Sequence, residues 1–220
     1  MDLGIQNLWL FILAGWALNL APGPDVFYMV THALKGGWRA GAVAAAGITT
    51  GCLVHVAAAT VGLSALVTAS AAAFTVVKWV GAAYLVYVGW QMLRSKAPEY
   101  AINSIAAYAN KQRATSQYNY EKVFRQGFLT NVLNPKVALF FLAFLPQFIS
   151  PASAHPTLAF LFLGLLFNLN SIPVSLGYVS LAAWVSQRTA VLQRGMHWLE
   201  RAAGALFIGF GIKLALSARN

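Results

Sequence analysis

Of the 220 residues, 59% are hydrophobic and 9% charged, where a soluble domain carries roughly 25% charged residues. That balance excludes an ordinary water-soluble domain, and several apolar runs reach the roughly 18–20 residues that cross a bilayer as a helix. The formal net charge of +10 does not mark a nucleic-acid binder, because the basic residues stand mostly in loops beside apolar runs, where they set membrane orientation.

No basic leader or small-residue cleavage site precedes the first apolar run, so an uncleaved first span is expected over about 3–30. It is interrupted at Pro22-Gly23-Pro24, since proline lacks the N–H and clashes with the preceding turn. A basic turn, Lys35-Gly36-Gly37-Trp38-Arg39, leads to a second span at about 40–67, rich in Gly and Ala. Small residues let helices approach closely in lipid, which puts this span inside the bundle. An uncharged connection at about 68–75 precedes span three, about 76–93.

The polar stretch at about 94–125 reads either as a solvated loop or, over part of its length, as an amphipathic surface helix. Span four, about 126–149, carries a second break at Asn134-Pro135-Lys136. Another uncharged connection, about 150–156, leads to span five, about 157–185, with Asn168, Asn170, Ser171 and Pro173 midway. A basic turn with Arg188 and Arg194 precedes span six, about 198–216. Basic and uncharged connections alternate, so six spans put every basic connection in the cytoplasm and both termini outside.

The fold expected is an all-α integral membrane protein of one domain, 1–220. Its six transmembrane helices form two inverted three-helix repeats, about 1–93 and 126–220, with proline-broken helices 1 and 4. Three spans per half force the second copy to be inverted, and matched broken helices near the midplane are the architecture of secondary transporters. Two pairings carry the repeat: residues 19–25 against 131–136, and residues 81–87 against 204–210.

Asp25 is the only one of the five acidic residues well inside an apolar run. It can cap the helix after Pro24, or it can hold a cation or a proton on a transport path. Lys136 can snorkel to the interface or pair with Asp25 and then with a substrate carboxylate. Asn19, Asn131 and Asn134 flank the breaks, where amides repair freed backbone groups or bind a polar ligand. Asn168 extends this polar set. His55 and Cys52 lie one turn apart in span two, and a buried lone histidine reads as hydrogen-bonded structure. With one cysteine, one carboxylate well inside a span and no phosphate-binding loop, nothing here reads as an enzyme, a metal centre or an ATP-driven pump, and no cofactor is expected.

The residues Asn19-Leu20-Ala21-Pro22-Gly23-Pro24-Asp25, the turn Gly37-Trp38-Arg39-Ala40-Gly41 and the run from Asn134-Pro135-Lys136 to Leu145-Pro146-Gln147-Phe148 resemble the RhtB/LysE family of amino-acid exporters, of homoserine, threonine and lysine efflux type. The resemblance covers most of the chain except the 94–125 loop. It implies a bacterial inner-membrane protein that exports amino acids or close derivatives by proton antiport. Its partners would be the amino acid, protons, the lipid bilayer and, as an option, a second copy in a homodimer. The family's first motif falls on Pro22, Gly23, Pro24 and Asp25, and its second on Asn134, Pro135 and Lys136. The competing reading is a passive channel, or a scaffold acting through its basic loop.

Overall fold

The computed structural model describes residues 3–65, 118–150 and 152–185, with scattered helical positions between 76 and 94 and between 201 and 212. Most of spans three and six, the 68–75 connection, the bulk of the 94–125 loop, the Arg188/Arg194 turn and the 81–87/204–210 pairing lie outside the described residues.

Helix α1 (Leu8–Leu20) stops at Ala21, whose extended backbone (φ −72°, ψ 118°) is what a following proline imposes. Helix α2 (Pro24–Ala58) starts after the extended Gly23, with Pro24 at its first position and Asp25 in its first turn. Proline there has its φ pre-set, and a carboxylate suits the positive end of the helix dipole.

Inside α2, Gly37 has φ 73° and ψ −170°, a region essentially reserved for glycine. There the chain reverses. A Cβ on Gly41 would fall 2.7 Å from the Cβ of Ala33, whereas eight residues of straight helix span about 12 Å. Residues 24–36 and 38–58 are thus two antiparallel helical segments, and the reversal falls within the expected basic turn. Helix continues from Val30 through Gly36, beyond the expected end of span one. A π-helical turn, Ala59–Leu63, extends the returning segment.

Helix α3 (Tyr120–Val132) is capped by Asn119, whose side chain accepts from Lys122 N at 2.9 Å. Its start precedes the expected start of span four because that cap captures the last residues assigned to the loop. Helix α4 (Pro135–Phe144) and a 3₁₀ turn (Leu145–Phe148) follow, bent by 44° from α3 across the break. Helix α5 (Pro156–Val185) matches the expected fifth span and contains Pro173.

All named elements are helical, and the described residues hold one isolated β-bridge, Ile5 to Ile149. By length and composition Pro24–Leu63 and Pro156–Trp184 can each cross a membrane, and the bent pair Tyr120–Val132 with Pro135–Phe148 makes a third span if its two halves cross as one. The reversal at Gly37 divides the first of these.

Residues 3–6 are pinned beside the connection ahead of α5, through Gln6 N to Phe148 O and Ser150 N to Gly4 O, both 2.8 Å. At the other end of α5, Trp38 Nε1 donates to Ser180 Oγ at 3.2 Å. The chain therefore crosses the length of the bundle between residue 6 and Gly37, as an interrupted span whose second half is residues 24–36.

Helix packing is close where glycines face backbone. A Cβ at Gly47 would collide with the carbonyl of Phe124, and one at Gly127 would meet Ala44 O at 2.8 Å. One face of the Gly-rich helix packs tightly on α3, as small residues allow, while Leu53, Val54 and Val61 on its other face are exposed. Two apolar clusters form: one around Phe11, Leu18, Cys52, Phe140 and Phe167, the other around Val26, Met29, Ala44, Ile48 and Val179.

Candidate functional site

The two proline breaks meet at the seam between these clusters. In an unbroken helix the carbonyls of Leu18 and Leu20 would accept from the N–H groups at positions 22 and 24. Both positions are proline. Side chains from elsewhere take over: Lys136 Nζ donates to Leu18 O at 3.1 Å and to Ala21 O at 2.9 Å, and Tyr178 Oη donates to Leu20 O at 2.7 Å. An ammonium at the negative end of the α1 dipole is favourably placed. Gly23 leaves room for it, since a Cβ there would lie 3.2 Å from Lys136 Nζ.

The second break is repaired in the same way. Pro135 removes the N–H that Asn131 O would accept, and that carbonyl takes Asn134 N at 2.9 Å and His55 Nε2 at 2.9 Å. Asn134 caps α4 through its side chain, accepting from Lys136 N at 3.0 Å. From just ahead of the same break, Asn131 Nδ2 donates to Asp25 Oδ2 at 2.9 Å. The second break thus sends two side chains, Lys136 and Asn131, across to the first. Asp25 also lies within electrostatic reach of Lys136 and His55.

Between the breaks lies a cavity of about 40 Å³. Its wall includes Asn19, Asp25, Met29, Thr49, Cys52, Asn131, Lys136, Phe167, Ser171 and Ser175. That volume holds about two or three waters and falls far short of the ~300 Å³ of an ordinary small-molecule pocket.

Three polar atoms of this wall are buried with no hydrogen-bond partner among the described residues: Asp25 Oδ1, Asn131 Oδ1 and Asn19 Nδ2. Buried polar groups are paired as a rule, so two acceptors and one donor at one cavity form a set suited to a small ligand bearing both an amine and an oxygen acceptor. The described residues contain no group of His, Cys, Asp and Glu able to hold a metal ion.

Of the residues singled out in the sequence, Asn19, Asp25, Asn131 and Lys136 come together on the wall, and Pro22, Gly23, Pro24, Asn134 and Pro135 shape the two breaks around it. Asn168 is buried but does not line the cavity; its carbonyl accepts from Ser171 Oγ at 2.7 Å. Thr49, Ser175 and Tyr178 were not anticipated. Ser171, Ser175 and Tyr178 recur at helical spacing on α5, a polar stripe that the sequence does show.

Residues 16–218 match the family model for the LysE type translocator. The chain belongs to that family. A homoserine/homoserine lactone efflux protein of Salmonella typhi is 34% identical to it over 96% of both chains. Uncharacterised membrane proteins of Pseudomonas aeruginosa, 35% identical over 97% of this chain and 96% of the relative, and of Vibrio cholerae, 33% identical over 95% and 97%, are also similar. No solved structure matches. As a LysE type translocator the chain is a multi-pass membrane protein that works in amino-acid efflux, and the crossing of its two breaks is the natural place to look for the substrate.

Proposed function

We propose that this LysE family member exports small neutral amino acids or close derivatives, of the homoserine and threonine type, across the bacterial inner membrane in exchange for protons. One observation carries the reading: Asp25, bonded to Asn131, stands at the crossing of two broken helices beside a small polar cavity. The substrate ammonium would sit on Asp25 Oδ1 and Asn131 Oδ1, with Asn19 Nδ2 on an oxygen of the ligand. A carboxylate that gives up the ammonium on one side can take a proton there, which ties export to proton uptake. The meeting of two proline-broken helices, one from each half of the chain, supports two inverted three-helix repeats that rock about this site. With the basic turns cytoplasmic, residues 3–6 and the connection ahead of α5 face the periplasm.

Everted membrane vesicles with an imposed pH gradient test this. Labelled homoserine or threonine should accumulate with wild type and not with Asp25→Asn. Equilibration that ignores the gradient would point instead to a passive channel, and the absence of any flux would leave a scaffold.

A further inference from the structure

His55 is buried, titratable and unused by the scheme above. Its Nε2 faces the carbonyl of Asn131 at 2.9 Å. A carbonyl only accepts, so Nε2 carries the hydrogen in the neutral ring and Nδ1 is the basic nitrogen. Asn131 thus holds His55 through its backbone and Asp25 through its side chain.

Position along the bundle sets the direction. Asp25 lies twelve helical residues, about 18 Å, from the reversal at Gly37, and His55 lies eighteen residues, about 27 Å, from it. His55 is therefore farther than Asp25 from the basic turn, towards the end that holds residues 3–6. It also lies on the wall of a second, larger cavity of about 440 Å³, where the other lining residues, such as Ala58, Leu63, Leu139 and Phe141, are all apolar. His55 lines that cavity, and its partner Asn131 lines the Asp25 cavity. Among the described residues, the titratable side chains near it are Asp25 on segment 24–36 and Cys52 on its own segment, with Lys136 of α4 on the other side of Asp25; α5 brings the hydroxyls of Ser171 and Ser175 to the Asp25 cavity.

We propose that His55 is the residue through which the coupling proton reaches Asp25 from the side away from the basic turns. A proton taken up at Nδ1 makes the imidazolium while the bond to Asn131 is kept. When the site opens, the imidazolium releases its Nδ1 proton to the Asp25 carboxylate as the substrate ammonium departs. Nε2 keeps its hydrogen on Asn131 O, the ring returns neutral in its starting tautomer, and one proton has replaced one ammonium on Asp25. This step rests on the proton-exchange reading of the preceding section and assigns its entrance.

The test uses the purified full-length chain in liposomes, with labelled homoserine and two assays. One is exchange against unlabelled homoserine at equal pH; the other is accumulation driven by a pH gradient. His55→Gln and His55→Asn keep an N–H donor for Asn131 and cannot titrate. Exchange within about twofold of wild type in at least one variant, with gradient-driven accumulation lost in every variant that exchanges, supports the proposal. Accumulation equal to wild type in either variant overturns it. Loss of exchange and accumulation together in both variants assigns His55 to repairing the Pro135 break alone and also overturns it. Wild type that exchanges homoserine and ignores the gradient overturns both the antiport reading and this step; wild type that does neither removes homoserine export itself.

Discussion

Lys136 Nζ reaches across the bundle to the carbonyl of Ala21 at 2.9 Å, 115 residues away in sequence, while Asn131, just ahead of the same second break, reaches back to Asp25. Both contacts run from the second break to the first. A cation from the start of α4 sits at the negative end of α1, and an amide from the end of α3 sits on the acid at the start of α2. The first takes up a carbonyl, Leu18 O, that Pro22 leaves without its helical donor, so the first break is stabilised by the second.

Lys136→Met should therefore lower folding stability as well as efflux. It strips a charged donor from Leu18 O and Ala21 O, and hydrogen bonds to charged groups contribute about 1.5–3 kcal/mol each. Thermal unfolding of the purified protein in detergent should show a loss of about 3–6 kcal/mol. Lys136→Arg, which keeps the charge, should recover much of that stability with less of the transport.

Gly37 has open space around its Cα, so a methyl group meets no neighbour there. Its φ of 73° with ψ −170° is the obstacle. Gly37→Ala should cost about 1–3 kcal/mol through backbone strain alone, read as a lowered unfolding midpoint. Gly36→Ala should also be costly for a different reason, because its Cβ would meet Ala40 Cβ at 2.6 Å and the Tyr118 ring at 2.7 Å. Adding Tyr118→Leu should relieve only the second of these contacts, so the Gly36 variant recovers in part and the Gly37 variant stays unchanged.

Gly47→Val should abolish the native packing of α2 against α3, since even a Cβ at this position collides with Phe124 backbone. Backbone cannot move aside as a side chain can. The expected outcome is loss of monodisperse protein on size-exclusion chromatography. Gly62→Ala, at an open position, should behave as wild type.

Tyr118, just ahead of α3, contacts His32 Nδ1 through its hydroxyl at 2.6 Å. Burial, with the phenols of Tyr28 and Tyr120 nearby, pushes that hydroxyl up to about 12 from its ordinary 10. An acid held neutral in the folded state keeps its full contribution below its unfolded value and loses it as pH climbs towards the folded one. The contact should thus be constant at neutral pH and weaken between about pH 10 and pH 12. Ultraviolet titration of tyrosinate, wild type against Tyr118→Phe, should show the late-titrating phenol disappear in the variant.

Much of the site was legible in sequence because its signals are local. Pro22, Pro24 and Pro135 break helices wherever they occur in apolar runs, and a carboxylate such as Asp25 among hydrocarbon-like residues demands a polar setting. Asn131 and Lys136 could be named as candidates, though not their partners: whether Lys136 faces lipid headgroups, Asp25 or the α1 carbonyls depends on which helices lie alongside. Tyr178 illustrates the same limit. A tyrosine in an apolar helix fits packing as readily as bonding, and only the neighbouring end of α1 makes its hydroxyl a cap for Leu20.

Composition and spacing alone determined that the chain is helical and membrane-embedded, where its helices break, and which polar residues stand at the breaks, because these follow from backbone chemistry within a few residues. Tertiary structure decided that the breaks meet, that Lys136 and Asn131 reach from the second to the first, and that His55 bonds the Asn131 carbonyl. Those relations join residues 76 to 118 positions apart, and contacts at that range are set by how the helices pack and not by any local propensity.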